Sequence, residues 1–357
     1  MLVVLNEAGE ASIPLEVAAN MDASDISLEV CAFFEPDEET FGVDVHSLDA
    51  SSQLDPRPYV RLLQLIQERD PDLVHVHPNA TGSIVRVLVK ILGIPLLSTQ
   101  HHPHEDFGLA KNVVNGSTNW LNDVIVCPSN VTAASFHDLE SALIRLSGTE
   151  KLVIPNGVDL AEIRRAREVT PPDLPDGPLV GTASRLVPHK QVHELLRAAR
   201  RLEDSDVDAK FVVVGDGPER ERLEGLAERL EIRDRVLFTG FLPTRAEVHA
   251  VMDRLDVFAF PTCSEGFGVA VAEAMALGTT VVVNDIPILH EVVGDAGVFV
   301  DATDTDEFAN ALQSLLEDEP RRVELGAEGA TRIEEQFSLE HTTTEYVDLY
   351  RRMTAEQ

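Results

Sequence analysis

Short, mainly apolar strand-like runs recur along this chain, and longer stretches of helical period separate them. In the first part the runs occupy residues 2–5, 73–76, 96–98, 124–127 and 152–154. In the second they occupy residues 179–182, 211–214, 236–238, 257–260, 281–283 and 298–300. Strands alternating with helices predict parallel sheets joined by crossover helices, an α/β class. Between the two series lies Thr170-Pro-Pro-Asp-Leu-Pro-Asp-Gly-Pro178, which neither helix nor sheet can use. The domain boundary is therefore expected there, with residues 1–168 in one domain and 169–338 in the other. After residue 300 the pattern turns helical over 304–316, 319–337 and 339 to the end, with Asp304 and Ser338 as N-caps.

Composition supports two cores and narrows the setting. At 357 residues and 44% apolar, the chain is too long for one comfortable core. The most apolar stretch, residues 83–97, is interrupted by Arg86 and Lys90, so no membrane span is expected. The start, Met-Leu-Val-Val-Leu-Asn, lacks a basic leader and reads as a first strand, which predicts a cytoplasmic protein. Residues 57–66, Arg-Pro-Tyr-Val-Arg-Leu-Leu-Gln-Leu-Ile, suit a buried crossover helix and are also amphipathic enough for a weak peripheral contact at the inner face of a membrane.

The net charge of −33 comes from 62 acidic and 29 basic side chains, and lysine is confined to Lys90, Lys111, Lys151, Lys190 and Lys210. That balance disfavours nucleic acid as a partner. It suits a halophilic cell, where molar salt shortens the Debye length to roughly 3 Å. Cys31, Cys127 and Cys263 show no paired spacing for zinc or redox work.

The segment Thr262-Cys-Ser-Glu-Gly-Phe-Gly-Val-Ala-Val-Ala-Glu-Ala-Met-Ala-Leu-Gly278 carries the clearest chemistry. Gly266 and Gly268 bracket a loop that follows one strand and opens a helix, with Glu265 before it and Glu273 inside it. Glycines permit close backbone approach, the first helical amides attract an anion, and carboxylates accept hydrogen bonds from hydroxyls. Such a loop suits a phosphorylated sugar. Its position at the carboxyl end of a parallel strand is where open α/β sheets bind ligands.

Three further strand ends add candidates. Gly181-Thr-Ala-Ser-Arg-Leu-Val-Pro-His-Lys190 brings Arg185 and Lys190 to one corner, and a lysine kept in so lysine-poor a chain points to phosphate. Val213-Val-Gly-Asp-Gly-Pro218 supplies Gly215 and Gly217, but Arg220 stands where a dinucleotide fingerprint needs its third glycine. His75 and His77 lie on one side of their strand by period-two geometry, and Thr99-Gln-His-His-Pro-His104 ends the next strand. Without carboxylate-backed ligand spacing, this group reads as a polar substrate cleft with one working histidine, and no metal is expected.

In order and spacing, Pro155-Asn-Gly-Val-Asp159, residues 181–190, residues 213–218, Phe238-Thr-Gly-Phe-Leu242 and residues 264–278 resemble the landmarks of retaining family 4 glycosyltransferases. The resemblance implies the GT-B architecture: two Rossmann-like parallel-sheet domains facing a central cleft, with the last helix, 339–357, crossing back to the first domain. It implies transfer of a hexose from a nucleotide diphosphate sugar to a hydroxyl of a glycan or lipid-linked acceptor, without metal or cofactor. Arg185 and Lys190 then neutralise the leaving diphosphate, Glu265 meets the donor sugar and Glu273 holds the ribose. Gly266, Phe267 and Gly268 support sugar and phosphate, with Gly215 and Gly217 on the same donor side. His101 stands near the reacting sugar, and Asn156 belongs to the interdomain loop.

One departure concerns the start. Similar enzymes place a glycine pair after the first strand, whereas Asn6-Glu-Ala-Gly-Glu10 offers only Gly9. That departure leaves a catalytically silent nucleotide-sugar binding module open as an alternative, and the shared architecture leaves a nucleotide-sugar epimerase open as another. A metal-dependent transferase of the other main fold is disfavoured, because Asp204-Ser-Asp206 reads as a solvated loop and Asp304-Thr-Asp306 as a helix cap.

Overall fold

The computed structural model describes residues 1–8, 13–21, 25–35, 42–52, 55–77, 80–103, 114–205 and 207–355. Gly9, His104 and Asp206 lie outside these described residues. The chain divides into two compact units, Met1–Gly157 with Leu339–Gln357, and Val158–Ser338.

The first unit is built on β1 (Leu2–Leu5), β2 (Glu29–Ala32), β3 (Val45–Ser47), β4 (Val74–Val76), β5 (Leu96–Thr99), β6 (Val124–Cys127) and β7 (Glu150–Val153). They form a parallel sheet in the order β3-β2-β1-β4-β5-β6-β7. β3 escapes the hydrophobic pattern because His46 and Ser47 fill two of its three positions, while β2, within the apolar run Val30-Cys-Ala-Phe-Phe34, is a strand added to those expected. Helix Arg57–Arg69 turns Pro58, Leu62 and Ile66 inward, which is the crossover reading of that segment. No helix among the described residues is long and apolar enough to cross a membrane. The Arg86 guanidinium is buried in helix Ala80–Leu92 and donates to Ser98, Asn115 and Thr118, and burial pulls its pKa down to about 9.

The last helix, Leu339–Ala355, completes this unit. Its Leu339, Tyr346, Leu349, Tyr350 and Met353 enter a core with Val17, Leu73, Leu97, Val124 and Val126. Each such apolar side chain contributes roughly 1.5–3 kcal/mol by leaving water. Arg351 donates to both carboxylate oxygens of Asp25 at 2.8 and 2.9 Å, pinning the solvent side. Gly157 is obligatory beneath this helix, since a Cβ there would lie 2.4 Å from the Leu339 Cα.

The second unit contains β8 (Leu179–Ala183), β9 (Lys210–Val214), β10 (Val236–Gly240), β11 (Val257–Phe260), β12 (Thr280–Asn284) and β13 (Val298–Val300). They form a parallel sheet in the order β10-β9-β8-β11-β12-β13. The unit begins earlier than the proline content suggests. Helix Leu160–Ala166 buries Ile163 and Ala166 and packs on helices Arg245–Met252 and Val269–Leu277, so the apolar face of 160–166 assigns it to this unit. The proline-rich residues 170–178 are a half-buried to exposed connection leading into β8. Asp304 caps helix Thr305–Glu317 by accepting from the amides of Asp306 and Glu307.

Tyrosines of the last helix meet histidines at the carboxyl ends of β4 and β5. His75 Nδ1 lies 2.9 Å from the Tyr350 hydroxyl and its Nε2 2.8 Å from Thr99 Oγ1, which in turn lies 3.1 Å from the Tyr346 hydroxyl. A neutral imidazole, with one donor and one acceptor nitrogen, satisfies this chain. Burial, aided by the charge of His101, pulls His75 down to about 3 from the ordinary 6.5.

A depressed folded pKa means that the unfolded chain takes up the proton first as pH falls. The stability held by neutral His75 is therefore complete above pH 6.5 and drains away below it, towards pH 3. Taking the wild type from pH 7.5 to pH 5 is expected to cost about 2 kcal/mol through this residue. Thermal unfolding at several pH values tests this. His75→Gln, which does not titrate, should start less stable but show a shallower pH slope; equal slopes would refute the assignment.

Candidate active site

In the second sheet β8 pairs with both β9 and β11, so the winding reverses between β8 and β11. Open α/β sheets gather ligands at the carboxyl end of such a switch point. The loops that leave these two strands carry Arg185 and Lys190 on one side, and Glu265 with Gly266, Phe267 and Gly268 on the other.

The two loops are stitched together. The amide of Cys263 donates to the His189 carbonyl at 2.9 Å, and Thr262 Oγ1 sits 3.1 Å from the same oxygen. Asn284, at the end of β12, donates to the Thr262 carbonyl at 3.0 Å and accepts from the Ala302 amide at 2.9 Å. On this frame Lys190 forms an ion pair with Glu265, and the side chains of the pair are only 16% and 11% exposed. The Lys190 ammonium also lies 5.2 Å from the centre of the Phe260 ring. Arg185 is exposed, and among the described residues its guanidinium has no hydrogen-bond or ion-pair partner.

Helix Val269–Leu277 starts beside this pair. Gly268 precedes it with φ of 93°, a conformation that costs glycine least. The amides of Phe267, Gly268, Val269 and Ala270 have no acceptor among the described residues, as the first turn of a helix requires. The Phe267 ring is buried and meets Phe337 edge-on at 5.5 Å, which anchors the loop. The loops of this corner therefore carry a free guanidinium, a paired ammonium and open N–H groups.

Glu273 lies inside that helix and is almost fully buried. Arg245 pairs with it, and His249 Nε2 lies 3.2 Å from its Oε1. Burial pushes its pKa up, but the Arg245 charge and the His249 contact outweigh this and hold it at about 2. Arg245, His249 and Asn284 were not singled out by the sequence. The capping box of Thr244 and Glu247, which opens helix Arg245–Met252, was the available signal for the first two.

Gly215 and Gly217 are held by backbone packing. A Cβ on Gly215 would fall 2.1 Å from the Ser184 carbonyl oxygen, and one on Gly217 2.4 Å from that of Leu186. Their amides are engaged as well, with the Gly240 carbonyl and the Asp216 carboxylate. The turn after β9 thus braces the loop that carries Arg185.

The remaining candidates, His101 and Asn156, belong to the first unit. His101 Nε2 lies 2.8 Å from His77 Nδ1, and the His75 and His77 rings are 4.2 Å apart, on one side of β4 as the strand period requires. Burial, then the charge of His102, pulls His101 down to about 4. His77 Nε2 has no partner among the described residues, and His77 helps line a cavity with room for about one water molecule, bounded also by Val3, Ile13, Val17, Tyr346 and Tyr350. Among the described residues no group of three His, Cys, Asp or Glu side chains is placed to hold a metal. Cys31 and Cys127 are buried and their thiols pushed up to about 12, whereas Cys263 is exposed.

Two family models match in tandem: Glycosyltransferase Family 4 over residues 12–162 and Glycosyl transferases group 1 over residues 167–332. The GDP-mannose-dependent alpha-(1-6)-phosphatidylinositol monomannoside mannosyltransferase of Mycolicibacterium smegmatis is 31% identical over 293 residues, covering 77% of this chain and 75% of that one. The 2-deoxystreptamine glucosyltransferase of Streptomyces kanamyceticus is 30% identical over 215 residues, covering 57% of this chain. The match spans just over half of that relative's own length, 55%. Among solved structures, Anabaena HepE in complex with UDP and glucose superposes with a TM-score of 0.77 at 20% identity, over 98% of this chain and 99% of that one. That likeness shows the GT-B fold. With two tandem domain matches and 31% identity across three quarters of a full relative, this chain belongs to the family 4, group 1 glycosyltransferases.

Proposed function

We propose that this protein transfers a hexose from a nucleotide diphosphate sugar to a hydroxyl of a glycan or lipid-linked acceptor, with retention at the anomeric carbon and without a metal ion. The observation that supports this reading is the β8–β11 corner, where the loop carrying Arg185 and Lys190 is tied through the Lys190–Glu265 pair to the loop whose amides at 267–270 are open. When the anomeric carbon separates from the diphosphate, negative charge builds on the leaving oxygen. Two cations and a helix N-terminus can neutralise it in place, which removes the need for a divalent ion. Glu265 accepts hydrogen bonds from sugar hydroxyls once the diphosphate draws Lys190 away, and Glu273 accepts from the ribose. His101 is the first unit's candidate for acting on the sugar. The names of the mannosyltransferase relative and of the HepE complex support a nucleoside diphosphate donor.

A thermal-shift screen of UDP- and GDP-sugars in molar salt is the first test. A matching donor at a hundredfold excess over its Kd should stabilise the wild type by about 2.7 kcal/mol. Lys190→Ala and Glu273→Ala should lose most of that shift, and a wild type that responds to no nucleotide sugar would end the donor-site reading. In transfer assays, Lys190→Ala is expected to lower kcat/KM by about 10²–10³-fold. EDTA should leave the wild-type rate unchanged; a rate that collapses with EDTA and returns with added divalent ion would contradict the metal-free mechanism. Release of free sugar from donor alone, faster than transfer to any acceptor, would favour an epimerase instead.

A further inference from the structure

Glu273 is 7% exposed, and a carboxylate so buried is expected to take up a proton unless partners hold its charge. Here the partners come from one neighbouring helix. Arg245, its first residue, pairs with Glu273 Oε1, and His249, one turn later, brings Nε2 to 3.2 Å of the same oxygen. The other ring nitrogen, Nδ1, looks towards Glu162 Oε1 at 4.0 Å, from helix Leu160–Ala166. His249 itself is 1% exposed. These contacts keep Glu273 ionised, with a pKa of about 2 despite its burial.

Ionisation matters because of what the carboxylate has to do. A protonated carboxyl gives up part of its acceptor capacity to carry a hydrogen, whereas a carboxylate is acceptor-only and can take both hydroxyls of a vicinal diol. Arg245 and His249 also converge on a single oxygen, Oε1, so the second oxygen is left as the acceptor for a ligand. We propose that Arg245 and His249 are positioning residues that fix Glu273 as a diol acceptor, and that this trio makes the site selective for ribonucleotide over 2′-deoxyribonucleotide donors. The inference rests on the reading of Glu273 as the ribose contact.

The test compares binding of UDP, GDP, their 2′-deoxy counterparts and inorganic pyrophosphate by calorimetry in molar salt, for wild type, Arg245→Gln, Arg245→Lys and His249→Gln. The wild type should prefer the ribonucleotide by about tenfold, the worth of one charge-assisted hydrogen bond. Arg245→Gln should bring the two sugars to within about twofold of each other, Arg245→Lys should keep most of the preference, and His249→Gln should lower it by about threefold. Pyrophosphate, which needs only the β8–β11 corner, should bind all four proteins alike, a result that a general loss of structure would not give. If Arg245→Gln loses pyrophosphate as well, the His249→Gln ratio decides. Preferences unchanged in the variants overturn the proposal. A wild type that binds both sugars equally removes the ribose role of Glu273 and the proposal with it, whereas a wild type that binds no nucleotide overturns the donor-site reading itself.

Discussion

The second unit depends on keeping a positive corner at the one place where its sheet reverses direction. β8 and β11 are neighbours in the sheet but lie far apart in sequence, and the loops leaving them are joined by Cys263 to His189, Thr262 to His189 and the Lys190–Glu265 pair. In a chain of net charge −33 with only five lysines, the half-buried ammonium at this corner is favoured by the average field of the molecule and opposed by its desolvation. Its acid partner is near enough to stabilise it and is itself a hydrogen-bond acceptor. The Lys190–Glu265 pair therefore balances its own charge while Arg185 keeps the corner positive, and on the proposed function an incoming diphosphate would replace Glu265 on Lys190 while sugar hydroxyls would replace Lys190 on Glu265. Because the pair is only partly exposed, high salt screens it less than it screens the many surface pairs.

The same logic of burial and pairing recurs at both sheets with opposite outcomes. Around Glu273, an arginine and a histidine keep a buried group charged. Around His75, two tyrosine hydroxyls and a threonine keep a buried group neutral, since each of them can give or accept a hydrogen but none brings a charge. The tyrosines arrive on the last helix, so the docking of residues 339–355 is written partly in polar contacts at the carboxyl end of the first sheet.

Much of this was legible in the sequence, for identifiable reasons. Strands covered on both faces appear as mainly apolar runs, and the β4 and β11 runs also locate the histidines in and after the first and the glutamate loop after the second. The edge strand β3 was not legible, because His46 and Ser47 leave Val45 without an apolar run, whereas β2 was passed over although Val30-Cys-Ala-Phe-Phe34 is such a run. Proline content misplaced the boundary, since it reports where the chain cannot form regular structure and says nothing of where helix Leu160–Ala166 buries its face. Gly215 and Gly217 were read as donor contacts, and the packing adds a second reason for glycine there, since the missing side chains make room for the Ser184 and Leu186 carbonyls. The capping box of Thr244 and Glu247 marked only the helix that carries Arg245 and His249; their roles, like that of Asn284, depend on partners in other elements, 28, 24 and 22 residues away.

The most direct test of the central claim is a crystal structure of the protein grown in molar salt with a bound nucleoside diphosphate. The account predicts the diphosphate on Lys190, Arg185 and the amides of residues 267–270, with the Lys190–Glu265 contact opened. A diphosphate bound elsewhere, with that ion pair intact, would contradict it.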